Sequence, residues 1–152
     1  MLTLRNSAPS PRPAARPHAL IAAELVMGLI AVPCGVLLIA TGLGMSEDVL
    51  DRSPFDTFLV PGLLLAVVVG GSLLGAAWLG WHRHSLAGPA GVAAGVILLG
   101  WIVVEAAIIS GGRVLQAIIF IWALVIIALA WPLTARQAAP STPSEDPSRT
   151  SA

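Results

Sequence analysis

Lysine and tyrosine are missing from this sequence, and cysteine occurs once, as Cys34. A lone cysteine excludes an intramolecular disulfide and leaves the redox compartment unreadable. Charge is also scarce. Asp, Glu and Arg together make up 11% of 152 residues, against about a quarter in an ordinary soluble domain. Eight basic and eight acidic residues cancel, so there is no basic footprint for nucleic acid. What the chain has instead is apolar: 57% hydrophobic residues, with 15 glycines besides. Too few charges remain to coat a water-facing surface. The composition is that of a membrane protein. Arginine as the sole strong base, with a bias to Ala, Gly and Pro, points to a GC-rich bacterial genome.

Four apolar runs stand out, at 20–40, 58–79, 86–109 and 114–133. Each is near the ~20 residues that a helix needs to cross ~30 Å of hydrocarbon. None alternates as a barrel strand would, and lipid forces backbone amides to pair within the segment. The expected fold is therefore all-α, an integral membrane four-helix bundle spanning residues 19–133. Residues 1–18 and 134–152 are rich in Pro, Arg, Ser and Thr and read as disordered tails. Pro61 and Pro89 fall in first turns, where a missing amide costs little. Pro33 is expected to kink helix one, and Pro132 to close helix four.

Orientation follows from arginine placement. With the N-terminus inside, Arg5, Arg12, Arg16, Arg83, Arg136 and Arg149 are cytoplasmic, while Arg52 and Arg113 lie outside. That asymmetry satisfies the positive-inside rule and puts both termini in the cytoplasm of a bacterial cell, with the chain in the inner membrane. Trp81 and Trp131 then mark the inner interface. The first apolar run is longer than the 7–15 residues typical of a signal peptide and no A-x-A site follows it, so an uncleaved anchor is expected.

Because lipid tails are as apolar as leucine, membrane helices associate through small residues that let backbones approach. Helix one offers Gly28, Ala31, Gly35 and Gly42 on one face, and helix two the pair Gly71 and Gly75. Helix three offers Ala87, Gly91 and Gly95, and helix four has Gln116, Ala123 and Ala130 on a shared stripe. A compact bundle is expected, and the same stripes suit a homo-oligomer or another membrane protein.

Two acids lie within the apolar runs. Glu24 and Glu105 are candidate functional residues, because an ionised side chain at mid-bilayer costs about 2.5–3.5 kcal/mol on insertion scales. Both share faces with small residues, so both are expected to point into the bundle. They sit near opposite ends of their helices, roughly 15 Å apart along the membrane normal at 1.5 Å per residue, which rules out a shared-proton dyad. Structural readings stand beside the functional ones. Glu105 and Arg113 flank a short turn and can form an ion pair. Glu24 can reach His18, His82 or Arg136, or hold a proton. His18, His82 and His84 lack zinc-site spacing, and with no histidine at depth neither metal nor haem is expected. The outer loop carries Asp48, Asp51, Phe55 and Asp56 and is the candidate surface for a partner. No nucleophile–base pair or phosphate-cradling loop is visible, so no enzyme and no cofactor are expected.

The stretch from Ser53-Pro54-Phe55 through Pro61-Gly62-Leu63, followed by Gly70-Gly71 and Trp101 to Glu105, resembles small four-helix bacterial membrane proteins in which a Ser-Pro-Phe loop leads into a Pro-Gly-opened helix. The resemblance covers roughly residues 20–131 and implies the same topology without an assigned activity. Ala23-Glu24, early in helix one, is similar to the proton-coupling site of small multidrug resistance transporters, although their Tyr-containing third helix has no counterpart here. Two functions are thus expected to compete: a non-enzymatic accessory or interaction protein of the cell membrane, and a small proton-coupled transporter using Glu24. The transporter requires a water-accessible cavity reaching Glu24, and the interaction protein a dry, close-packed bundle.

Overall fold

The computed structural model describes residues 17–44, 55–108 and 112–137, and all its regular elements are helical. The tails at 1–16 and 138–152, with Asp48 and Asp51, lie outside the described residues. Four helices have membrane-spanning length and apolarity. Helix α1 is Pro17–Thr41 and runs through Pro33 as one element. Helix α2 is Leu59–Trp81, α3 is Ala87–Ile108 and α4 is Arg113–Gln137. The chain therefore runs up and down, with Pro17, the 82–86 turn and Gln137 at one end (the terminal end) and the remaining turns at the other (the loop end).

None of these helices has a polar face, and large aliphatic side chains such as Leu29, Val67, Val103 and Leu115 stand exposed around the bundle. In water this would be untenable; in hydrocarbon it is the surface a spanning helix needs. Trp78, Trp81 and Trp131 are exposed toward the terminal end, where amphipathic rings suit the headgroup level.

Packing follows small residues, though not all of those expected. Gly28, Ala31 and Gly35 of α1 are buried, as is Gly42 just past its end, and Gly35 lies so close to α2 that an added Cβ would stand 2.6 Å from the backbone of Gly62 and Ala66. On α2 the expected pair fails. Gly71 and Gly75 are exposed and face open space, whereas Gly62, Gly70, Ala76 and Ala77 are buried. The stripe Gly62, Ala66, Gly70 has the same four-residue spacing and meets α1; an apolar-all-round helix offered no polar face with which to choose between the stripes. On α3 the buried glycines are Gly88, Gly91 and Gly95, with Ala87 at the margin. Ala123 and Ala130 of α4 are fully buried, and Gln116 is half-buried.

Helix α4 also corrects an expectation about its end. Pro132 lies inside it, and the helix continues to Gln137. A proline removes one amide, and a membrane helix tolerates that where neighbouring groups compensate. The carbonyl that loses its amide partner here is that of Ala128, and Thr134 Oγ1 donates separately to Ala130 O at 3.2 Å.

Helix α2 begins as α-helix (Leu59–Leu63), widens into a π-helical stretch at Leu64–Gly70, and returns to α at Gly71–Trp81. It ends in a Schellman motif: His84 N–H bonds Leu79 O at 2.9 Å and Arg83 N–H bonds Gly80 O at 3.1 Å. The motif needs a left-handed residue, and Arg83 supplies it at φ 52°. A non-glycine residue there stores about 1 kcal/mol of strain. Arg83→Gly should therefore raise the thermal midpoint in detergent, by an amount matching roughly that energy. A lower midpoint would show that the arginine side chain contributes more than its backbone costs.

Candidate functional site

The bundle is two hairpins, α1–α2 and α3–α4, joined mainly through the Gly71–Trp81 half of α2 against α3 and through α1 against α4. Across the α1–α4 seam Trp122 Nε1–H donates to Ala23 O at 3.2 Å. Nothing in the sequence signalled that pair, since the two residues are 99 apart.

Glu24 lies beside this seam. It is 1% exposed, and neither carboxyl oxygen has a hydrogen-bond partner among the described residues. Gly91 of α3 makes the room: an added Cβ there would stand 2.7 Å from Glu24 Oε1 and 3.0 Å from Ala130 Cβ. Two of the three partners expected for Glu24 face outward. His18 and His82 are exposed, and the His82 ring lies 4.5 Å from that of Trp78. The Arg136 side chain lies outside the described residues.

Below the loop end the hairpins part, leaving an apolar cavity of about 710 Å³. Its walls include Cys34 and Leu38 of α1, Leu64, Leu65, Val68 and Val69 of α2, Ile97, Trp101 and Glu105 of α3, and Ile119 of α4. Four of the seven π-helical residues are thus wall residues. Such stretches recur at functional sites because the wider turn re-aims side chains. Against the compact bundle expected, the two hairpins pack closely in the terminal half and leave this space between them toward the loops.

Glu105 belongs to this open half. It is half-buried and accepts a hydrogen bond from Trp101 Nε1 at 3.0 Å, from one turn earlier on α3. The expected ion pair with Arg113 gives way to this local bond; Arg113 is exposed in the first turn of α4. The four-residue spacing of Trp101 and Glu105 was the available signal, because such pairs share a helix face. Of the outer-loop candidates that are described, Phe55 lines the cavity and Asp56 is exposed.

A smaller pocket of about 190 Å³ opens at the terminal end, bordered by Leu20, Gly80, Arg83, His84 and Gly88. Glu24 lies between the two spaces and lines neither. Along α1 it is about 6 Å from Leu20, which walls the small pocket, and about 4.5 Å from Met27, at the floor of the large one. No group of three or more His, Cys, Asp or Glu among the described residues is placed to hold a metal ion.

Four apolar helices of membrane length, with outward aliphatic faces, define a multi-pass helical membrane protein. Compared with protein-family models, with curated proteins and with solved structures, the chain gives no match.

Proposed function

We propose that this is a non-enzymatic accessory or interaction protein of the bacterial cell membrane, with both termini cytoplasmic, and that its loop-end cavity seats an apolar membrane component. The cavity carries the reading by its placement: it does not reach Glu24, as a transporter would require, and the bundle is close-packed around that residue while leaving room for a guest toward the loops. Photo-crosslinking in native membranes tests it. A benzophenone side chain at Ile97, in the cavity wall, should give a discrete adduct, while one at Val26, on the outward face of α1, should label bulk lipid. The same adducts from both positions would defeat the reading.

A second reading is a small proton-coupled transporter. It is favoured by the unpartnered Glu24 carboxyl lying between two spaces placed toward opposite ends of the bundle. The likeness of Ala23-Glu24 to small multidrug resistance transporters points the same way. In this reading Leu20 and Met27 are dry barriers that must move alternately. Glu24→Gln should then abolish pH-driven solute uptake into vesicles, and undiminished uptake would eliminate it.

A further inference from the structure

We propose that the loop-end cavity is a binding site for a drug-sized lipophilic cation, an ammonium group on a single apolar chain, with the cation held at Glu105 and Trp101. This deepens the reading of the cavity as the seat of an apolar membrane component and rests on it. The size suits one such guest, because pockets for drug-sized molecules run about 300–1,000 Å³ and this one is about 710 Å³.

The distribution of polarity selects the guest. Glu105 is the single charged residue among the 22 described residues that line the cavity. It stands in the last turn of α3, near the loop end, whereas the floor is formed by Met27, Val69 and Leu98. Glu105 and Leu98 are seven residues apart, so the wall between them runs roughly 10 Å along α3. A guest that matches has its cationic group at the shallow end and its apolar chain directed to the membrane centre. That is also how a cationic amphiphile sits in a leaflet, so entry from lipid needs no inversion.

The recognition chemistry is present at the shallow end. Trp101 Nε1–H fixes the carboxyl through Oε2. An ionised carboxylate has about four lone-pair sites, so it can accept an ammonium alongside the indole. Tryptophan is also the best aromatic partner for a cation. A fatty acid or an alkyl sulfate meets repulsion from the same carboxylate, and a neutral alcohol leaves it without a counter-charge.

Binding of radiolabelled dodecylamine, dodecanol and dodecyl sulfate to the full chain in phosphatidylcholine vesicles tests the inference. The amine should bind saturably and about tenfold or more tighter than the alcohol, with the sulfate weakest. Glu105→Gln should bring the amine to the level of the alcohol while leaving alcohol binding intact, which also certifies that the variant is folded. Equal binding of amine and alcohol, or amine binding unchanged in Glu105→Gln, would overturn the cation site and leave the cavity reading standing. Loss of saturable alcohol binding in the native chain would sink both. Displacement of the amine by a few mole per cent of phosphatidylethanolamine would reassign the site to a lipid headgroup and so overturn the single-chain guest.

Discussion

Gly35→Ala is expected to destabilise the protein by about 3 kcal/mol, at the top of the usual range for overpacking. The new Cβ would stand 2.6 Å from Ala66 N and Gly62 O and 2.7 Å from Ala66 Cβ. Two of these are backbone atoms of α2, and no rotamer change relieves them. Either helix must move. Separation would loosen the neighbouring contacts as well, since an added Cβ at Gly62 would stand 2.7 Å from Gly35 O. Without a hydrophobic drive between helices in lipid, close packing is the main attraction there, and the lost dispersion is not recovered elsewhere. Gly71→Ala and Gly75→Ala provide the control. Both positions face open space, so alanine should be neutral or stabilise by about 0.5–1 kcal/mol through its lower backbone entropy loss. Thermal midpoints in one detergent compare the three variants, and a Gly35→Ala midpoint equal to that of Gly71→Ala would refute the close α1–α2 approach.

The contrast between these glycines marks where the sequence stops being informative. Four spanning helices were legible because lipid permits few alternatives to a 20-residue apolar run as a helix. The buried face of α1 was legible too, because Glu24, Gly28, Ala31 and Gly35 fall on one stripe and a carboxyl is costly toward lipid. Helix α2 carries no charged residue deep in the span, and its Ser72 bonds its own backbone at Val69 O, so Gly71 with Gly75 and Gly62 with Gly70 were equivalent candidates; only the partner helix decided between them. The π-helical stretch Leu64–Gly70 had no signal at all, being seven small or aliphatic residues that suit an α-helix equally well. The cavity was hidden for a related reason. Its walls are mostly leucines, valines and isoleucines that read as ordinary core, and whether such side chains meet each other or leave a space depends on how far two hairpins splay. The position of Glu105 within an apolar run was legible, but its setting was not. Its partner Trp101 shares its face, while Arg113, its expected partner, is exposed.

Glu24→Met is expected to raise stability by about 1–3 kcal/mol, a gain that a buried residue in a packed core seldom gives. Even in its least costly, uncharged form a carboxyl without a hydrogen-bond partner forfeits about that much relative to water. Methionine is unbranched, of similar length and adaptable, so it can occupy the room that Gly91 leaves without a new cavity or clash. Glu24→Gln separates polarity from shape: its amide is equally unpartnered in this setting, so no gain is expected and its midpoint should stay near that of the native chain. A residue whose replacement stabilises the fold is one the fold does not require, which is the signature of a site kept for function. The stabilised Glu24→Met variant should therefore lose whatever activity Glu24 supports while spanning the membrane normally. If Glu24→Met instead lowers the midpoint, a water or an ion must satisfy the carboxyl in the membrane, and the layer between Leu20 and Met27 would be a hydrated site rather than a dry one.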